Sequence, residues 1–192
     1  GRYTAQGICD VAITGYDWIC ENGVEDDVVE VGELNYSKVS DGSVKWVLAV
    51  PNDSDVKEPA DLAGGIVSTE LISMTRKYFE KHDVENVSLE FSWGATEVKA
   101  RGQFVDAIVD VTETGSSLKA NNLRVLDTVL KSSTRVIANK SAWQDPAKQQ
   151  KIKEMFTLLQ AALLGRKKVG LKMNVPRKAL DDVLAVLPST TS

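Results

Sequence analysis

The run Val105-Asp106-Ala107-Ile108-Val109-Asp110-Val111 constrains the fold more than any other stretch of this chain. It is nearly continuous in apolar residues, whereas a strand exposed on one face alternates. It reads as a strand covered on both faces, the position of a central strand in a largely parallel sheet. Such a strand needs helices on either side, and the flanking sequence supplies them.

Asp10 to Thr14 is a short apolar strand that Gly15 ends, and Asp17 is placed to cap a following helix. Residues 44–51, VKWVLAVP, form a strand stopped by Pro51, and Ser40-Asp41-Gly42 before it suggests a hairpin turn. After Pro51 the pattern restarts: a strand GIVST, a helix with Leu71, Met74, Tyr78 and Phe79 on one face, a strand VSLEFS, and a short helix ended by Gly102. LRVLDTVL and STRVIANK are two later strands. Asp145 caps the clearest helix, with Pro146 at its first position, Gly165 at its end and a stripe of Ile152, Met155, Phe156, Leu159, Ala162 and Leu163. Beyond it, Val169, Leu171 and Met173 alternate as on a half-buried strand, and Pro176 opens a helix with Leu180, Val183, Leu184 and Leu187 facing inward.

This alternation predicts an α/β fold with mostly parallel sheets. The restart implies two lobes, with the chain crossing between them twice. Residues 1–51 and 136–165 are assigned to the first lobe and 52–135 to the second, with 166–192 opening a further small unit.

The stretch Asp110-Val-Thr-Glu-Thr-Gly-Ser-Ser117 carries the chemistry. Ligands of open α/β sheets bind beyond the carboxyl ends of the strands. Gly115 lets the backbone approach an anion closely, while Thr114, Ser116 and Ser117 add hydroxyl donors. Asp110 and Glu113 suit sugar hydroxyls or a magnesium ion rather than phosphate. The stretch is therefore either a solvated strand-to-helix turn with capping hydroxyls or a sugar-phosphate site. The absence of a lysine after the glycine excludes the P-loop pattern.

DAIVDVTETGSSLKANNL, with GATEV upstream, resembles the signature region of the ATP phosphoribosyltransferase family. Four further segments agree in order: GICDVAITGYDWI, VKWVLAVP, GGIVSTELISMTRKYFEKHDV, and the stretch from Lys148 to Ser189. The resemblance implies a two-lobed core like the type II periplasmic binding proteins, followed by the first β-α unit of a ferredoxin-like regulatory domain. It also implies a sequence truncated at both ends. The implied reaction condenses ATP with phosphoribosyl pyrophosphate (PRPP), a glycosyl transfer that opens histidine biosynthesis, with histidine as feedback inhibitor. By this resemblance Thr114, Gly115, Ser116 and Ser117 hold the ribose 5-phosphate, Asp110 is a ribose ligand, and Glu97 contacts substrate. Glu97 or Asp110 would stabilise the charged ribose ring. Thr14, Gly15 and Asp17 are expected at the nucleotide on the facing lobe. Mg2+ is the implied cofactor, with ligands not assigned, and the implied assembly is a homo-oligomer, a dimer or hexamer, in the cytoplasm. Ser116-Ser117 and the KARG stretch after GATEV depart from the family's usual residues.

Charge and composition limit the alternatives. A formal net charge of -4 gives no electrostatic case for nucleic acid or an anionic membrane surface. Cys9 and Cys20 lack metal-site spacing, and His82, the lone histidine, has no nucleophile motif to serve. The remaining alternative is a two-lobed solute-binding protein without catalysis, which GICDVAITGYD would suit equally well.

Overall fold

A computed structural model describes residues 1–34, 43–102, 104–166 and 168–187. The expected turn at Ser40-Asp41-Gly42 lies outside these residues. The chain begins with helix α1 (Arg2–Ala5), strand β1 (Val11–Gly15), α2 (Tyr16–Glu21), β2 (Val28–Leu34) and β3 (Val44–Pro51). It continues through β4 (Ile66–Thr69), α3 (Ile72–Lys81), β5 (Ser88–Phe91), α4 (Thr96–Arg101), β6 (Ala107–Thr112), α5 (Ser116–Ala120), β7 (Leu123–Ser132) and β8 (Thr134–Asn139). Helices α6 (Lys140–Gln144), α7 (Pro146–Gly165) and α8 (Leu180–Val186) follow.

The strands form two sheets, one of order β5-β4-β6-β3-β7 and one of order β1-β8-β2. In the larger, β4 is parallel to β5 and β6, and β3 runs antiparallel to both β6 and β7. Four of its strands therefore point one way, with β3 alone reversed among them. In the smaller sheet β8 is antiparallel to β1 and β2. The expected parallel character thus resides in β5, β4 and β6. The antiparallel pairs arise where β3 and β8 enter a sheet from the other side of the molecule.

This crossing corrects the sequence reading of residues 44–51. β3 hydrogen-bonds along its length to β6 and β7, so it belongs to the larger sheet rather than with β1 and β2. Both of its faces are buried. Trp46, Leu48 and Val50 face α3 residues Tyr78 and Phe79, while Val47 and Ala49 face Ala100 and Leu118. β6 behaves likewise, with Ala107 and Val109 on one side and Ile108 on the other. The near-continuous apolar runs of both strands follow from this double coverage.

The α7 start matches its sequence signals: the Asp145 carboxylate accepts from the N–H groups of Ala147 and Lys148, with Pro146 at the first position. Its stripe is covered less than periodicity suggests. Ile152 is buried, Met155, Phe156, Leu159 and Leu163 are half-buried, and Ala162 is exposed. The contact that seats it is Phe156 on Gly32 of β2, where a Cβ would come within 2.3 Å of the ring.

The tail also departs from expectation. Residues 168–176 form no strand, and Val169 is 95% exposed. Leu180 and Leu184 of α8 face solvent instead of a core. A lone strand has no ladder partner, and alternation of apolar residues cannot replace one.

Candidate functional site

The site residues collect at one edge of the larger sheet. Phe91, Thr69 and Val109 lie side by side in β5, β4 and β6. The β4 pairings end there together: Ser92 to Gly94 and Glu70 leave the sheet, while Asp110 continues in β6 with β3 as its neighbour. The Gly94 N–H donates to the Glu70 carboxylate at 3.2 Å. Asp110 is half-buried, and burial pushes its carboxyl up to about 6. The Val111 N–H, 2.7 Å from its Oδ1, opposes that rise, and the charges of Glu97 and Glu70 reinforce it. Three carboxylates thus share one neighbourhood.

The loop after β6 folds on itself. The Gly115 N–H donates to Thr112 Oγ1 at 2.8 Å, and Thr114 Oγ1 and Ser116 Oγ share a hydrogen bond of 3.0 Å. Gly115 has φ +74°, a left-handed conformation that suits glycine, and a Cβ there would meet open space. Ser117 Oγ donates to Glu97 Oε1. Glu97, Asp110 and Thr114 to Ser117 are therefore brought together from α4, β6 and α5, and the Ser117–Glu97 bond ties the loop to α4. Helix α5 spans five residues, so its dipole adds little, and the donors at this loop are its local N–H and hydroxyl groups.

Thr14, Gly15 and Asp17 lie elsewhere, around the end of β1. Thr14 is half-buried and pairs in register with Arg135 of β8. Gly15, not Asp17, is the N-cap of α2. Asp17 is buried in the first turn of that helix. Its Oδ2 accepts from the Trp46 indole N–H at 2.7 Å, its Oδ1 accepts from the Trp18 N–H at 2.9 Å, and its own N–H donates to Ser132 Oγ at 3.0 Å. A Cβ on Gly15 would come 2.0 Å from Asp17 Oδ1. These two residues fill each other's space and join the first sheet to the second.

Two residues of the acidic edge were missed from sequence, Glu70 and Trp93. Glu70 had a usable signal, since an acid directly follows IVST much as Asp110 follows AIV. Among the described residues, no group of three or more His, Cys, Asp or Glu side chains is arranged to hold a metal ion.

Two sheets joined by paired crossings, with a hydroxyl-rich loop and acids at a carboxyl edge, define a two-lobed α/β protein of the periplasmic-binding-protein kind. A family model for ATP phosphoribosyltransferase matches residues 1–161, and the chain belongs to that family. It is 52% identical over 188 residues to the ATP phosphoribosyltransferase of Chlorobium phaeovibrioides, covering 98% of this chain and 63% of that protein. It is 50% identical over 189 residues to that of Geotalea uraniireducens, covering 98% of this chain and 64% of that protein. The chain thus spans somewhat under two thirds of these relatives' length. Among solved structures, the ATP phosphoribosyl transferase (HisG:HisZ) complex from Thermotoga maritima superposes with a TM-score of 0.73 at 24% identity, covering 85% of this chain and 75% of that one. The substrate binding protein of an amino acid ABC transporter superposes at 0.55 with 18% identity, covering 84% of this chain and 69% of that one, a likeness of fold.

Proposed function

We propose that the protein catalyses the condensation of ATP with PRPP, giving phosphoribosyl-ATP and pyrophosphate. The observation that carries this reading is the convergence of Asp110, Glu97 and the Thr114–Ser117 loop at the carboxyl edge of the larger sheet. The loop would hold the 5-phosphate of PRPP on backbone amides and hydroxyls, with Gly115 allowing close approach. Asp110 would accept hydrogen bonds from ribose hydroxyls. Adenine N1 then attacks the anomeric carbon as the C1–O bond to pyrophosphate breaks. Positive charge develops on the ribose ring, where the carboxylate of Asp110 or Glu97 stabilises it. Holding both reactants in line supplies much of the acceleration, at most about 7–11 kcal/mol. Of the first-sheet residues, Thr14 is the one we place nearest to ATP, because Gly15 and Asp17 are committed to each other and to Trp46.

Magnesium would be held mainly by the phosphate oxygens of PRPP and by water, as is usual for this ion at phosphate substrates. We further propose a cytoplasmic homo-oligomer, dimer or hexamer, inhibited by histidine through a unit that includes residues 166–192. Among the described residues no helix is long and apolar enough to cross a membrane.

The test is steady-state turnover by the full-length protein, following phosphoribosyl-ATP by absorbance. Gly115→Val should raise KM for PRPP at least about tenfold. The left-handed backbone at this position costs the variant about 1–2 kcal/mol of stability. Turnover absent from the wild type while ATP or another solute binds would favour a two-lobed binding protein instead. Indifference to millimolar histidine would remove the regulatory part alone.

A further inference from the structure

Among the described residues Trp93 is the most exposed aromatic, with 85% of its surface open. Its backbone is nevertheless fixed on both sides. The Ser92 N–H donates to the Thr69 carbonyl at 2.9 Å, and Ser92 Oγ accepts from Thr96 Oγ1 at 3.1 Å. On the other side the Gly94 N–H is held by Glu70. Gly94 and Ala95 are consecutive left-handed residues, at φ +72° and +52°. Ala95 keeps a Cβ in a region that L-residues avoid, and such strain gathers at ligand sites. A large flat side chain is therefore presented, uncovered, from an ordered turn.

The chemistry of the surroundings selects what covers it. The turn leaves the sheet beside Glu70, on the same edge as Asp110 and Glu97. In the reaction proposed above, the loop beside Asp110 takes the 5-phosphate of PRPP, and adenine N1 must reach the anomeric carbon held there. The purine, not the triphosphate, is therefore the part of ATP that comes to this edge, and an exposed indole suits a base's π-face. Gly15 and Asp17, expected from sequence at the nucleotide, are filled by contacts within the chain. We infer that Trp93 is the stacking platform for the purine of ATP, an assignment that rests on the reaction proposed above.

The experiment uses Trp93→Ala and Trp93→Phe in the full-length protein, with both substrates varied and with tryptophan fluorescence read during ATP titration. Trp93→Ala should raise KM for ATP about tenfold and leave KM for PRPP within about twofold, and Trp93→Phe should recover most of the loss. ATP should quench a fraction of the wild-type fluorescence that is missing in Trp93→Phe. An unchanged KM for ATP, or equal rises for both substrates, overturns the assignment. So does a change of oligomeric mass in Trp93→Ala with ATP affinity intact, which would make this face a subunit contact. A wild type that makes no phosphoribosyl-ATP, yet is quenched by ATP through Trp93, ends the proposed reaction and keeps the platform. An active wild type matched by Trp93→Ala ends the platform alone.

Discussion

Asp110 sits in β6 just past the last residue paired with β4, and its ionisation opposes folding. Burial, with the Glu97 and Glu70 charges, lifts its carboxyl from an ordinary 3.8 to about 6. Between those values the folded protein holds a proton that the unfolded chain has released, so stability from this group falls as pH rises through that window. Asp110→Asn removes the charge. The variant should melt higher than wild type at pH 7.5, and the difference should fade by about pH 4. Its turnover should fall at least about tenfold if the carboxylate steadies the ribose ring. A lower melting temperature at pH 7.5, measured calorimetrically, would mean that a cation pairs with Asp110 in the fold. At this scale Asp110 and the hydroxyl loop could be singled out because their types and order suggest a chemistry, and Glu97 only through the family resemblance; the structure brings the three together. Asp17 was not, because its type allows a cap, a ligand or a structural acceptor. Its partners Trp46 and Ser132 lie 29 and 115 residues away, and only the fold chooses.

Elements were legible where a local signal ends them. Asp145, Pro146 and Gly165 bound α7, and Gly102 ends α4, as their types predict. What elements pack on was not legible. The α7 stripe looks like one for full burial, yet its seat on β2 is narrow and depends on Gly32 receiving Phe156. Gly32→Ala puts a Cβ 2.3 Å from that ring and should cost about 1–3 kcal/mol in denaturant unfolding. Phe156→Leu on top of it should cost less than the sum of the two single changes, since the pair shares one clash. The start of α3 is a second case. No side chain of its own N-cap serves it. Instead Glu21, at the end of α2, accepts from the N–H groups of Ser73 and Met74 at 3.0 and 2.9 Å. Glu21→Ala should lose about 1 kcal/mol, as removal of a cap does, with the loss shrinking at high salt. Equal unfolding curves for wild type and variant would show that water replaces the carboxylate. The tail marks the opposite limit. Val169, Leu171 and Met173 carry a strand pattern but no strand, because a strand is a property of a pair.

In the whole molecule one arrangement occurs twice. In β6-β3-β7 and again in β1-β8-β2, the middle strand runs against both neighbours and is the one that has just crossed from the other sheet. Sequence showed two lobes but could not show this exchange, because apolar content does not specify direction or partner. The exchange has a mechanical consequence: neither sheet is complete without a strand delivered by the other half of the chain. The junction is closed by α2. Its first turn holds Trp46 through Asp17 and Ser132 through the Asp17 N–H, and the Tyr16 N–H donates to the Ser133 carbonyl at 3.0 Å. Its last residue caps α3. With strands and a helix interlocked in this way, residues 1–165 should unfold as one unit, giving a single calorimetric transition whose van't Hoff and calorimetric enthalpies agree. Asp17→Ala leaves the Trp46 indole N–H buried without its acceptor, which costs about 1–3 kcal/mol. It should also loosen the junction more than either sheet, so the transition should broaden and its van't Hoff enthalpy should fall below the calorimetric value. Asp17→Asn keeps an acceptor oxygen at nearly the same place and should restore the sharp transition. If Asp17→Ala lowers the melting temperature but leaves the two enthalpies equal, the strand exchange alone couples the halves, and α2 contributes only its own contacts.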